Sequence, residues 1–117
     1  MYIDDKTRIL HMIDAAEEAI KFSAGRSLKD VREDRALALL LVKCLEMVGE
    51  AGFKTSRNYR DSHPEVPWRT LIDLRNHLVH EYHDIDAERV WETIERDIPS
   101  ILPTLWSLLV EFEQAQE

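Results

Sequence analysis

The chain is expected to fold as an all-α protein, a compact four- to five-helix bundle. Three observations predict this class. Apolar residues recur at helical spacing in four separate stretches, no segment alternates convincingly as a strand, and three glycines and four prolines leave few turns in 117 residues.

The first stretch, roughly 4 to 24, repeats Ile9, Ile13, Ala16 and Ile20 at helical spacing, and Gly25 follows as a stop. The second opens at Asp30, where DVRE sets Asp and Glu three apart as in a capping box. Its stripe of Leu37, Leu40, Leu41, Cys44, Leu45, Val48 and Ala51 is the most hydrophobic of the chain and is expected at the centre of the bundle. SRNYRDSHPEVPW, 56 to 68, interrupts the pattern, because two prolines and a string of polar residues do not continue a helix. Pro67 suits the first turn of the third helix, WRTLIDLRNHLVHEY, whose seam is Trp68, Leu71, Leu74, Leu78 and Tyr82. Asp84 and Asp86 offer caps for a fourth helix from about 87. There Val90, Ile94, Ile98, Ile101, Leu105, Leu108 and Phe112 hold the helical period past Pro99 and Pro103, where a kink or short break is expected. Trp68, Trp91 and Trp106 read as packing residues, and Cys44 as inert core.

A chain of this length makes one domain, 1 to 117, which excludes a two-domain enzyme. At 44% hydrophobic and 32% charged it is a folded rather than a disordered sequence. A lone cysteine excludes an internal disulfide and fits a reducing cytosol. MYIDDKTR lacks the apolar core of a signal peptide, and ALALLLV at 36 to 42 is too short to span a bilayer, so a cytoplasmic protein without a membrane partner is expected.

The net charge of −8 counts against nucleic-acid binding, which draws on clustered Lys and Arg. Its distribution softens the objection. Between 54 and 80, Lys54, Arg57, Arg60, Arg69 and Arg75 outnumber Asp61, Glu65 and Asp73, whereas the segment from 81 onward is strongly acidic.

At the end of the basic window stands RNHLVHEY, residues 75 to 82. Arginine offers a fork of charged donors for phosphate and for the charge that builds in phosphoryl transfer. Histidine takes and gives protons near neutral pH. Together, Arg75 and His80 suit RNA cleavage in which the 2′-hydroxyl is deprotonated and attacks the adjacent phosphorus. On a straight helix, however, the two residues point about 140° apart. A site built on them therefore requires the reach of the guanidinium, a helix that ends near 80 to 83, or a second subunit.

The Arg-x4-His-x-Tyr pattern of Arg75, His80 and Tyr82, preceded by HPEVPW at 63 to 68 and GEA at 49 to 51, resembles the HepT-like toxins of the HEPN superfamily. The resemblance spans almost the whole chain and implies an all-α bundle that forms a homodimer or higher homo-oligomer, with two motifs facing each other across a composite cleft. It implies a metal-independent endoribonuclease toxin of a type VII-like toxin–antitoxin pair, acting on an RNA substrate without a cofactor. By the same resemblance Arg75 and His80 are expected to carry catalysis, with Asn76 in support of phosphate or the histidine. Tyr82 matches the tyrosine that a partner nucleotidyltransferase antitoxin modifies with AMP. Glu50, beside Gly49, either lines the cleft or caps a polar patch.

Other readings stand beside this one. Arg75 could serve as a structural partner of a bundle carboxylate such as Glu50. The same helical fold could instead be a non-catalytic nucleotide- or partner-binding module of a nucleotidyltransferase complex, or a purely structural dimer. His77, His80 and His83 step by three, but no cysteine or carboxylate completes a zinc spacing, and no metal is expected. His77 and His83 read as surface or interface residues.

Overall fold

A computed structural model of the protein describes residues 3–81 and 83–115, with Arg75, His80 and Glu81 described by their backbone. The first helix, α1 (Asp5–Ser23), starts where the Asp4 carboxylate accepts the Thr7 N–H at 2.9 Å. It stops before Gly25, whose φ of 74° is the left-handed conformation that glycine adopts without a Cβ clash.

The expected second helix is two helices. A capping box formed by Ser27 and Asp30 starts α2 (Leu28–Glu33), and the Asp34 carboxylate accepts the Leu37 N–H at 3.1 Å to start α3 (Arg35–Lys54). Asp30 thus closes a box, as the third residue of the helix, and does not open one. The polar interruption also holds a helix, α4 (Arg57–Ser62). Its cap, Ser56, donates through its N–H and hydroxyl to the Asp5 carboxylate at 2.8 and 2.7 Å.

The third stretch divides into α5 (Trp68–Ile72) and α6 (Leu74–Leu78), then leaves helix altogether for β1 (Val79–Glu81), paired antiparallel with β2 (Asp84–Ile85). The last stretch is α7 (Ala87–Glu92), a π-helical turn over Thr93–Asp97, and α8 (Ile98–Ala115). No break falls at Pro103, which lies inside α8. The adjustment sits upstream, where Ile98 N–H donates to the Thr93 carbonyl five residues back. Pro99 has no N–H for the Glu95 carbonyl and its ring crowds that group, and a widened turn relieves both.

The all-α class holds, with one minimal hairpin added to it. The centre is α3, whose Leu41, Leu45 and Val48 are fully buried among Ile9, Met12 and Ala16 of α1 and Ile98 and Leu105 of α8. Two expected core residues lie outside it: Leu40 is 40% exposed and Trp106 45% exposed. Trp68 is buried, Trp91 half-buried, and Cys44 buried with its thiol pKa raised by that burial. Among the described residues no helix is long and apolar enough to cross a membrane.

Candidate active site

The segment carrying the motif is set in place from its start. Tyr59 of α4 stacks on His63 with ring centroids 4.0 Å apart and on Phe112 of α8 at 5.1 Å. The His63 carbonyl accepts the Trp68 indole N–H at 2.9 Å, and His63 Nε2 lies 3.6 Å from the Glu111 carboxylate. HPEVPW therefore pins the first residue of α5 to both α4 and α8. Further along, the Leu71 carbonyl lies against Gly49, where an added Cβ would stand 2.6 Å away.

Asp73, with ψ near 0°, separates α5 from α6, and its carbonyl accepts the Asn76 N–H at 2.9 Å in a short three-residue closure. Leu74 and Leu78 are buried and fix the rotation of α6, while Asn76 and His77 are exposed. Helix ends at Val79, which is extended at φ −139°, ψ 119°. The Asp86 N–H donates to the Leu78 carbonyl at 2.9 Å and closes the hairpin.

That hairpin is irregular. Val79 pairs with Ile85 and Glu81 with Asp84, so β1 carries one residue more than β2 between the two pairs. The extra residue is His80. A bulge of this kind bends a strand and re-aims a side chain, and such bulges are over-represented next to active sites. Arg75 thus stands in α6 and His80 on the bulge that follows it. The 140° separation of a straight helix does not apply, because the chain between them is not a straight helix.

The remaining expected residues are dispersed. Asn76 is exposed on α6 beside Arg75. Glu50 lines a separate cleft of about 300 Å³ with Arg8 and His11 of α1 and Lys54 of α3, to which the described residues of α6 and the hairpin contribute no wall. Its carboxylate is 2.9 Å from Lys54 Nζ, and the hydrogen bond from Lys54, reinforced by its charge, holds the carboxyl below the usual range. Tyr82 lies outside the described residues. His77 and His83 are both exposed, and among the described residues no three His, Cys, Asp or Glu side chains gather as metal ligands. Sequence reading did not single out Arg32 and Arg35, which line a cleft with His83 and Ile85 of the hairpin; the signal available was the charge alternation RED at 32 to 34 just before the hydrophobic stripe.

The all-α scaffold with its one hairpin thus sets Arg75 in a helix and His80 on the bulge just after it. The family model for HepT-like ribonucleases matches residues 12–107. This chain belongs to the HepT-like ribonuclease family. It is 33% identical over 91 residues, 78% of this chain and 81% of the other, to a protein of Caldanaerobacter subterraneus subsp. tengcongensis provisionally named an RNase. It is 29% identical over 100 residues, 86% of each chain, to the probable ribonuclease HepT of Thermococcus cleftensis. A Methanocaldococcus jannaschii protein, also provisionally named an RNase, is 27% identical over 114 residues, 97% of this chain and 94% of the other. No solved structure gives a significant match.

Proposed function

We propose that this endoribonuclease is a metal-independent toxin whose site is Arg75 and His80, completed across a homodimer and silenced when a partner nucleotidyltransferase adenylylates Tyr82. The observation that carries the reading is the break at Val79, which puts His80 on a bulged hairpin directly after the helix that bears Arg75.

The chemistry follows from the two residue types. A neutral His80 accepts the proton of the 2′-hydroxyl, O2′ attacks the adjacent phosphorus, and the P–O5′ bond breaks. The departing 5′-oxygen takes a proton from an imidazolium, supplied by the second protomer's copy of the same histidine. The products are a 2′,3′-cyclic phosphate and a 5′-hydroxyl end, so protons and bonds balance. Arg75 holds the non-bridging oxygens, whose charge rises as the fifth bond to phosphorus forms. Asn76, exposed in the same turn, adds a neutral donor for phosphate.

The test is cleavage of cellular RNA in excess EDTA by the purified protein beside His80→Ala and Arg75→Ala. The wild type is expected to yield cyclic-phosphate ends, and each variant to lose at least about 100-fold in rate. Indistinguishable RNA profiles for all three would remove the catalytic assignment and favour the non-catalytic partner-binding reading, with which the net charge of −8 is more easily reconciled.

A further inference from the structure

The hairpin that carries His80 is also a wall of a second cleft, of about 210 Å³, to which the catalytic reading gives no role. Arg32 near the end of α2, Arg35 at the start of α3 and His83 in the turn of the hairpin line it together with the apolar Val31, Ala38 and Ile85. Among the described residues no carboxylate lines this cleft. The α1–α3 cleft includes Glu50, and the groove that α3 forms with Val79 and Ile85 of the hairpin includes Glu46. In a chain of net charge −8, this cleft brings two guanidinium groups and an imidazole to one lining.

Its place in the fold adds to this. Ile85 lines the cleft and pairs with Val79, the residue before His80. Paired strands lie about 5 Å apart, so the cleft opens beside the bulge. Glu88 of α7 bonds to Arg32 from outside the lining, with both side chains more than half exposed. A guanidinium has five donors and one carboxylate does not use them all.

From this arrangement we infer that Arg32, Arg35 and His83 form an anion subsite that takes a backbone phosphate of the RNA strand flanking the bond to be cleaved, with Glu88 as an internal competitor for Arg32. The inference rests on the ribonuclease reading of Arg75 and His80. Guanidinium forks match phosphate oxygens in geometry as well as charge, and phosphate contacts set the register of a strand without reading its bases. An acidic protein holds a polyanion in this way through a local patch and not through its overall field.

The experiment uses full-length protein carrying His80→Ala, which binds without cleaving, titrated with a fluorescent mixed-sequence single-stranded RNA oligonucleotide over a range of salt concentrations. Adding Arg32→Gln and Arg35→Gln together is expected to reduce the steepness of log affinity against log salt by about 0.7, for the one phosphate that is no longer neutralised. Glu88→Gln is expected to tighten binding, because it removes the competitor; removal of a merely structural ion pair would not tighten it. An unchanged salt slope in the double variant, or weaker binding in Glu88→Gln, overturns the subsite. Should the double variant lose its native circular dichroism spectrum, the two single variants are read by the same criterion. Failure of the catalytic reading is distinct: the unsubstituted protein then leaves RNA uncut while the slope still responds to Arg32 and Arg35.

Discussion

Gly49 of α3 meets the carbonyl oxygen of Leu71 so closely that a Cβ on residue 49 would lie 2.6 Å from it. The atom in the way is backbone, so the clash is relieved only by moving α5 off α3. Gly49→Ala is therefore expected to destabilise the fold by about 1–3 kcal/mol despite the better helix propensity of alanine. Gly52, one turn on, is the control. A Cβ there would meet the Met12 methyl at 3.5 Å, an ordinary approach to a flexible side chain, and Gly52→Ala is expected to be neutral or to stabilise by up to about 1 kcal/mol. Urea unfolding of the two variants checks the pair. Equal effects would mean that the α3–α5 approach does not constrain residue 49.

Tyr59 yields a prediction about alkaline stability. Its ring is stacked between His63 and Phe112, and its hydroxyl is buried without a hydrogen-bond partner among the described residues. Burial, with smaller contributions from the charges of Glu111, Asp5 and Glu65, pushes its pKa up to about 12. The unfolded chain ionises near 10. A pKa raised in the folded state gives stability that is complete below pH 10 and is lost between pH 10 and about 12, because there the unfolded chain releases its proton first. Tyr59→Phe keeps the stack, removes the unpaired hydroxyl and is expected to stabilise the protein by about 1 kcal/mol near neutral pH. Its decline above pH 10 should also be shallower than that of the wild type, as followed by circular dichroism. A drop in neutral-pH stability would show that the hydroxyl has a partner worth keeping.

The sequence made the helices legible wherever a single apolar period ran uninterrupted. Ile9 and Ile13 in α1, Leu41, Leu45 and Val48 in α3, and Val90, Ile98 and Leu105 in the last stretch are all buried as their spacing predicts. It failed at the edges of stripes. Leu40 and Leu41 both fit the period, and which of them faces solvent depends on where α1 lies, which periodicity does not contain. Trp106 is exposed for the same kind of reason. The end of the motif helix was less legible still, because Leu74, Leu78 and Tyr82 continue a helical seam on paper. What reverses the chain at Val79 is a bond from the Asp86 N–H, eight residues on from its acceptor, and Asp86 is visible in the sequence only as a cap for the next helix. The misfit between Arg75 and His80 was itself readable and left three resolutions open, the reach of the guanidinium, a helix end near 80 to 83 or a second subunit; the backbone ends the helix before Val79, between the two residues. Glu50 was a different matter. GEA is a local pattern, and only the packing of α1 against α3 decides that Glu50 faces Arg8, His11 and Lys54.

Pro103 sits inside α8 with its side chain exposed, and it has no N–H to offer the Pro99 carbonyl. Its own carbonyl accepts the Ser107 hydroxyl at 3.0 Å, a bond that any residue at 103 could make. Pro103→Ala restores the missing helical donor and is expected to raise the stability by about 1–2 kcal/mol; the gain is smaller than the full helix penalty of proline because alanine leaves the unfolded chain freer. Thermal unfolding decides the sign. A loss of stability would show that α8 depends on the rigid φ of proline at this point.

The regulatory part of the proposal makes its own demand on Tyr82. Adenylylation joins AMP to the phenol through a phosphodiester, which brings negative charge and a nucleotide's bulk two residues from His80 in the chain. Beside a site built to take an RNA phosphate, that group competes for the same cations and the same space. Tyr82→Phe removes the acceptor oxygen and leaves Arg75 and His80 untouched. The variant is therefore expected to cleave RNA at a rate within a few-fold of the wild type, and to go on doing so after incubation with the partner nucleotidyltransferase and ATP. Under the same treatment the wild type should gain the mass of one or more AMP units on Tyr82 and fall silent. The measurement is intact-protein mass spectrometry alongside RNA cleavage on the same samples. Equal silencing of both proteins would move the modification to another residue, whereas a Tyr82→Phe protein inactive from the start would make the tyrosine part of the cleavage site and not its switch.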